Sequence, residues 1–142
     1  MIFSDGGARG NPGPAAIAFL ILSENGQVLM ANSRYVGSRT NNQVEYEALI
    51  AALESAVTLN AEEVICHLDS ELIVKQLNGE YKVKNSELRK LWRKAHELSS
   101  RFKKVNFINV PRTNIQIQKA DALVNKALDE FSSHTGGENP RF

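Results

Sequence analysis

Four acidic residues stand where a carboxylate is locally costly in this 142-residue sequence. Asp5 closes the apolar run 1–4, a predicted first strand, and Asp69 closes the run 63–69, which has the pattern of a buried central strand. Glu45 and Asp121 lie in the first turns of two predicted helices, each at the margin of the apolar face. Because neighbouring parallel strands, ~4.8 Å apart, end at one edge of a sheet, we expect the four carboxylates to meet there.

Carboxylates gathered this closely repel one another and raise each other's pKa, so the cluster requires cations. Ligation by oxygen alone suits hard ions, and we expect Mg²⁺, with Mn²⁺ as a substitute. Two such ions about 3.5–4 Å apart clamp the attacking and leaving oxygens of a phosphoryl displacement. Each acid alone has an ordinary explanation as a turn cap or as a charge favoured at a helix N-terminus. All four at one edge favour a two-metal site.

The elements that must position these side chains follow from the periodicity of the chain. Five apolar runs are typical of strands: 1–4, 15–22, 27–36, 63–69 and 105–110. Four segments have a helical period: 41–59, 70–79, 86–102 and 118–131. A turn at 24–26 joins the second and third strands into a hairpin, and the strands starting at Ile2, Glu63 and Val105 should be parallel. The prediction is an α/β fold with a five-stranded mixed sheet, an antiparallel hairpin plus parallel strands, flanked by helices.

Length and composition favour one folded domain. Hydrophobic residues make up 42% of the chain and charged residues 23%, with 17 basic against 16 acidic side chains. This balance excludes a histone-like polycation and an acidic disordered tail. We assign 1–131 to the domain and the polar segment 132–142, which holds two glycines and a proline, to a flexible C-terminal tail.

The sequence gives no signal for export, membrane insertion or cross-linking. No apolar run approaches the ~18 residues of a membrane span, and the N-terminus lacks a signal-peptide pattern. The single cysteine, Cys66, has no partner for an intramolecular disulfide, and no Cys/His cluster has the spacing of a zinc site. We therefore expect a cytoplasmic protein without membrane association, and no feature indicates an obligate protein partner.

A basic segment lies in the second half of the chain. Nine of the seventeen basic residues fall within 82–104, opposed there only by Glu87 and Glu97. The ordinary explanation is a solvated helix face, and the functional one is a surface that follows a phosphate backbone. Trp92 matches the apolar stripe of its helix and is expected in the core rather than under a base. The candidate nucleic-acid contacts in this segment are Lys90, Arg93 and Lys94.

Four short blocks surround the predicted carboxylate cluster: 5–14, which is glycine-rich, 40–45 (Thr-Asn-Asn-Gln-Val-Glu), 68–70 (Leu-Asp-Ser) and 120–123 (Ala-Asp-Ala-Leu). Together they resemble the type 1 ribonuclease H family in order, spacing and element type, over residues 1 to about 131. The resemblance implies a ribonuclease H-like fold with a catalytic domain over 1–131. It also implies endonucleolytic hydrolysis of the RNA strand of RNA–DNA hybrids with two Mg²⁺ ions.

The same resemblance implies a role for each acid. Asp5 would bridge the two metals, and Asp121 would help hold the metal that activates water. Glu45 and Asp69 would hold the metal that stabilises the leaving 3′ oxygen.

Substrate contacts are carried over in the same way. Asn41 and Asn42 would contact the hybrid in its minor groove, where 2′-hydroxyls distinguish RNA from DNA. Thr40 and Asn11 would contact a DNA-strand phosphate. The candidate substrate contacts are completed by Gly6 in the glycine-rich loop and by Glu71.

Three features depart from the usual family pattern. The basic protruding helix-loop of many members is missing, since 81–85 runs straight into the next helix; hybrid binding should then depend on the 82–104 surface. Glu71 stands where an amide is common, which should alter the minor-groove contact. The loop before Asp121 often carries a histidine, but here it is 111–114 (Pro-Arg-Thr-Asn), as in the histidine-lacking branch. An arginine cannot act as a base at neutral pH, so Arg112 is expected to serve as a fixed positive charge in catalysis.

Two alternatives remain beside hybrid cleavage. One is a nuclease of the same fold that acts on double-stranded RNA or DNA. The other is a hybrid-binding module whose cleavage has lapsed, although four retained carboxylates argue against it because clustered acids lower stability when they hold no cation.

Overall fold

The computed structural model describes residues 1–135. In chain order, its strands are β1 (Ile2–Ala8), β2 (Gly13–Leu22), β3 (Val28–Arg39), β4 (Glu63–Leu68) and β5 (Lys104–Asn109). The helices are α1 (Asn41–Thr58), α2 (Glu71–Leu77), α3 (Ser86–Ser99) and α4 (Ile115–Thr135). None of the helices within residues 1–135 combines the length and the apolar character needed to cross a bilayer.

The sheet has the strand order β3-β2-β1-β4-β5. β1, β2 and β3 are antiparallel neighbours, whereas β1, β4 and β5 are parallel. The predicted five-stranded mixed sheet is therefore confirmed, with β1 rather than β4 as its middle strand.

β1 is longer than the apolar run that predicted it. Its parallel pairing with β4 is confined to Ile2 and Phe3, but its antiparallel pairing with β2 continues as far as Ala8. Asp5 therefore lies inside β1 rather than at its end, which corrects the prediction. The Asp5 carboxylate still reaches the open edge of the sheet because β1 and β4 are no longer paired at this point. Two glycines follow Asp5 and give the sequence the appearance of a turn.

Helices cover both faces of the sheet and bury the core. The first face packs against α1, whose Tyr46, Leu49 and Leu53 are fully buried. On the opposite face, α4 lies against β1 and β2, where Ala16 and Ala18 provide a shallow surface for close approach. These two layers fix the N-termini of α1 and α4 beside the edge of the sheet that carries the acids.

α4 begins three residues earlier than its apolar period indicates. The Asn114 side chain accepts hydrogen bonds from the backbone N–H groups of Gln116 (3.0 Å) and Ile117 (3.1 Å), and so caps the helix. Asp121 consequently lies in the second turn, not in the first as predicted. The helix also continues beyond Phe131 to Thr135, so part of the segment assigned to the tail is helical. The remainder of that segment, 136–142, lies outside the described residues.

Candidate functional site

Three of the four predicted acids meet in one cluster. Asp5, Glu45 and Asp69 each place a carboxylate oxygen within 4.8 Å of the others. Asp5 and Glu45 are buried, each with 7% exposure. All three line a cleft of about 550 Å³, and Asp121 lines the same cleft. The predicted edge of the sheet therefore gathers the carboxylates, with a compact trio and Asp121 beside it.

Glu45 is held in place by the close approach of α1 to β1. The backbone N–H of Gly6 donates to Oε1 of Glu45 at 2.5 Å. A Cβ atom at Gly6 would overlap the backbone of Val44 and Glu45, so only glycine lets the helix come this near. The predicted contact of Gly6 with substrate remains a prediction, since its amide is engaged here by Glu45.

The cluster raises the proton affinity of its own members. Burial, reinforced by the charges of Asp69 and Asp121, raises the pKa of Asp5 to about 7. Burial also raises the pKa of Glu45, together with the charges of Asp5 and Asp69. The pKa of Asp69 is raised by burial as well, and the positive charge of Arg112 opposes that rise. The repulsion expected from the sequence is thus present in the fold.

The donor set fits a hard divalent cation. The trio offers carboxylate oxygens from three side chains, which is the ligation that Mg²⁺ and Mn²⁺ prefer. Oε2 of Glu45 is buried and has no hydrogen-bond partner within the described residues. An ionised oxygen left unpartnered in the interior is costly, and a cation in the cluster would offset that cost.

Asp121 is set apart from the trio in its surroundings. Its charge helps to raise the pKa of Asp5, so the two carboxylates are neighbours. The side-chain amide of Asn125, one turn later on α4, donates to Oδ2 of Asp121 at 3.3 Å. Unlike Asp5 and Glu45, Asp121 is exposed to solvent.

Amide and hydroxyl side chains form the wall next to the acids. The Thr40 side chain caps α1 by accepting from the Gln43 N–H at 3.2 Å, and the Gln43 side chain accepts in return from the Thr40 N–H. The N–H of Asn41 donates to Oδ1 of Asn11 at 3.0 Å, which ties the glycine-rich loop to the helix. These residues and Asn42 also line a second cavity of about 340 Å³. The four predicted contacts in the two blocks are therefore adjacent.

Arg112 reaches the acidic cleft from the loop between β5 and α4. Its Nε atom lies 3.5 Å from Oδ2 of Asp69, and its side chain is 91% exposed while that of Asp69 is 14% exposed. The exposed guanidinium lies against Asp69 and can still meet a ligand from solvent. The predicted role of Arg112 in catalysis remains a prediction.

Glu71 lies in the first turn of α2, directly after Ser70, which caps that helix. Its exposed carboxylate pairs with Lys75 at 3.6 Å. The predicted minor-groove contact of Glu71 remains a prediction.

The basic segment does not form one continuous surface beside the cleft. Lys103 pairs with Glu62, and Lys104 lies opposite Glu63 at the start of β4. β4 has six residues, so this end lies roughly 20 Å from Asp69. The expectation of a single binding surface over 82–104 is thus corrected: its last residues lie at the far edge of the sheet.

The candidate nucleic-acid contacts on α3 differ in how freely their side chains could meet a substrate. Lys90 lines a cavity with Arg39 and Gln43 near the start of α1 and, within the described residues, forms only a long 3.5 Å contact with Glu87. Arg93 is exposed. Lys94 pairs at 3.7 Å with Glu54, well along α1 from its N-terminus. Trp92 donates from Nε1 to the Gln76 carbonyl at 3.0 Å and packs against the core, which confirms its structural role.

Sequence reasoning missed two polar residues of the site. Asn85 caps α3 and lines the cavity shared with Thr40 and Asn42; an asparagine directly before a helical period was the available signal. Asn125 contacts Asp121, and its spacing of four residues on a helix could have revealed it.

The comparisons with known proteins agree with this fold. The family described as "Reverse transcriptase-like" matches residues 3–127. The chain is 41% identical over 129 residues to Ribonuclease HI of Halobacterium salinarum, covering 90% of this chain and 63% of that protein. It is 42% identical over 130 residues to a Mycobacterium tuberculosis protein described as "Bifunctional protein Rv2228c", covering 91% of this chain. The chain spans only 35% of the length of that relative.

Solved structures match closely as well. The RNase H1 of Halobacterium salinarum superposes with a TM-score of 0.87 at 40% identity, covering 91% of this chain and 96% of that one. The N-terminal RNase H domain of rv2228c gives 0.89 at 38% identity, covering 95% and 98%. LC11-RNase H1, solved in complex with an RNA/DNA hybrid, gives 0.86 at 42% identity, covering 92% and 96%. The mixed sheet with its acidic cleft is thus a ribonuclease H-like fold. The chain belongs to the type 1 ribonuclease H family.

Proposed function

We propose that this chain is a metal-dependent endoribonuclease that hydrolyses the RNA strand of RNA–DNA hybrids. The observation that carries the proposal is the cluster of Asp5, Glu45 and Asp69 within 4.8 Å, in which one buried oxygen of Glu45 has no hydrogen-bond partner among the described residues. A relative with 42% identity has been solved with an RNA/DNA hybrid, which supports the choice of substrate.

Four carboxylates are available to hold two Mg²⁺ ions, or Mn²⁺ in their place. When bound, such ions lower the pKa of water and stabilise negative charge on a displaced oxygen. Asp5 neighbours Asp69, Glu45 and Asp121 at once, which suits the bridging role that the family pattern gives it. Asp121 would complete one ion's ligands, and Glu45 with Asp69 the other's.

The amide and hydroxyl side chains beside the acids would contact the duplex. Asn41 and Asn42 line the acidic cleft itself, so their side chains can reach a strand whose phosphate lies over the acids. Hydrogen bonds to 2′-hydroxyls would then select RNA at the scissile position. Thr40 and Asn11 line the neighbouring cavity and would hold a phosphate of the opposite strand.

Positive charge near the cleft comes from Arg112 and, on α3, from Lys90. A guanidinium keeps its charge at every working pH, so Arg112 would orient the scissile or product phosphate and would move no proton. Lys90 lies near the start of α1, so it could contact the phosphate backbone beyond Asn41 and Asn42.

The test is cleavage of matched RNA–DNA, RNA–RNA and DNA–DNA duplexes in Mg²⁺, Mn²⁺ or EDTA. We expect cuts in the RNA strand of the hybrid alone, with metal only. Asp69→Asn should abolish cleavage while the protein stays folded. Glu63→Gln removes an exposed carboxylate from the start of β4, the strand that Asp69 follows, and should leave the rate unchanged.

The same panel separates the alternatives. Cleavage of a double-stranded RNA or DNA substrate at the rate of the hybrid would move the chain to another nuclease class. Tight hybrid binding with no cleavage in either metal would make it a binding module and would contradict the proposal.

A further inference from the structure

A chain of polar contacts joins Asp121 to the glycine-rich loop. The side-chain amide nitrogen of Asn125 donates to the backbone carbonyl of Asp121 at 3.1 Å and to its Oδ2 at 3.3 Å. Nη2 of Arg9 donates to Oδ1 of Asn125 at 3.4 Å. The same Nη2 forms a 2.7 Å ion pair with Asp129, one further turn along α4. Three side chains on one face of the helix are thus linked through Arg9.

These contacts fix the direction of the Asn125 amide. A guanidinium has donors and no acceptor, so the amide oxygen must face Arg9 and the NH₂ group must face Asp121. Asp129 holds Arg9 in the position where it can do this. β1, which leads into the loop that carries Arg9, packs closely against α4: a Cβ at Gly7 would stand 3.1 Å from Cγ1 of Val124.

Asp121 needs such support more than the other acids do. Asp5 and Glu45 are fixed by burial, and Glu45 also by the Gly6 amide. Asp121 is exposed, so its carboxylate is free to turn away from the cleft unless a neighbour holds it. An NH₂ group bonded to one oxygen restrains the side chain and leaves the second oxygen for a ligand.

We propose that Asn125 is a positioning residue that holds the Asp121 carboxylate in the orientation that binds a divalent cation, and that Arg9 sets the direction of its amide. The inference depends on the proposed function only in taking Asp121 as a metal ligand. No part of it requires a particular nucleic acid.

The test measures the binding of Mn²⁺ alone, without nucleic acid, by calorimetry. Asn125→Leu has nearly the same shape and removes the donor and the acceptor without adding charge. It should raise the Kd for Mn²⁺ about tenfold, as is typical when the residue that supports a metal ligand is removed. Arg9→Ala should raise the Kd by a smaller factor, because the amide remains but its direction is no longer fixed. Lys126→Leu, the next exposed position on α4, is the control and should leave the Kd unchanged.

A double mutant separates positioning from a merely structural link between loop and helix. If Arg9 acts through Asn125, adding Arg9→Ala to Asn125→Leu should not weaken Mn²⁺ binding further. Metal-free melting temperatures of the single mutants should stay within about 2 °C of the wild type, and excess Mn²⁺ should restore the turnover of Asn125→Leu.

Two results would overturn the inference. One is a Kd for Asn125→Leu within twofold of the wild type, with or without a lower melting temperature. The other is a wild type that binds no Mn²⁺. A wild type that binds Mn²⁺ but cleaves no hybrid would contradict the proposed function, while the order of the Kd values would still decide the role of Asn125.

Discussion

Removing the charge of Asp5 should stabilise the metal-free protein, and the gain should grow as the pH rises. Asp5 has an ordinary pKa of 3.8 and a pKa of about 7 in the fold. The folded state therefore binds the proton more tightly than the unfolded chain does. The contribution of Asp5 to stability is greatest at pH values below its pKa in the unfolded chain. It falls as the pH rises from about 4 to 7 and is constant above that.

The size of the effect follows from the two pKa values. At about 1.4 kcal/mol for each tenfold change in proton affinity, ionisation of Asp5 costs the metal-free fold about 4 kcal/mol in total. About 3 kcal/mol of this falls between pH 5 and pH 8. A domain of this size changes its Tm by roughly 3–4 °C per kcal/mol. Asp5→Asn has no such titration, so its Tm advantage over the wild type should widen by on the order of 10 °C over that range.

The assay is thermal unfolding followed by circular dichroism in EDTA at pH 5, 6, 7 and 8. Glu63→Gln is the control, and its Tm should follow the wild type at every pH. Mn²⁺ at about 100 times its Kd should raise the wild-type Tm by an amount equivalent to about 2.7 kcal/mol, and should raise that of Asp5→Asn by less. A constant Tm difference between Asp5→Asn and the wild type from pH 5 to pH 8 would refute the electrostatic reasoning.

Three further changes test other parts of the site. Arg112→Ala should lower the single-turnover rate by about 10²–10³ with no new pH dependence between pH 6 and 8, and lysine should rescue it only in part; a weaker affinity with normal turnover would make Arg112 a backbone contact instead. Replacing Lys90, Arg93 and Lys94 by alanine should flatten the salt dependence of hybrid binding by roughly 0.7–0.9 log units for each phosphate group that the variant no longer neutralises, whereas Lys103→Ala with Lys104→Ala should not change it. Gly6→Ala should lower the free energy of unfolding by about 1–3 kcal/mol and displace Glu45, which thermal melting and Mn²⁺ titration would detect. An unchanged Kd for Mn²⁺ would show that α1 can shift away from β1 without disturbing the metal site.

The sequence predicts most of the sheet and the helix that carries Glu45. The apolar period predicts a helix over 41–59, and α1 covers all of these residues except the last, because the period and the Thr40 cap agree. The parallel arrangement of β1, β4 and β5 also follows from chain connectivity, since crossovers join these strands. Local pattern and global topology point the same way in these elements.

Errors arise where long-range contacts override local pattern. β1 continues through Gly6 and Gly7 because β2 pairs with it there, and no periodicity of 1–8 shows that partner. α4 starts at Ile115 because Asn114 caps it and Ile117 fills a gap against Phe3 and Leu20. The basic segment is continuous in sequence but not in space for a related reason: α3 and β5 carry its residues to different ends of the fold.

Glu45 shows why a cation is a better explanation of this site than a binding surface without catalysis. The Glu45 carboxylate is buried because α1 lies so close to Gly6 that no other residue fits at that position. One of its oxygens is buried without a hydrogen-bond partner among the described residues. A buried polar atom without a hydrogen bond costs about 1–3 kcal/mol, and the repulsion from Asp5 and Asp69 adds to that cost. Recognition of a polyanionic duplex would gain nothing from three clustered negative charges, which repel phosphates. A divalent cation reverses both effects, because it gives the free oxygen a partner and turns the acidic cleft into a place where a phosphate is attracted.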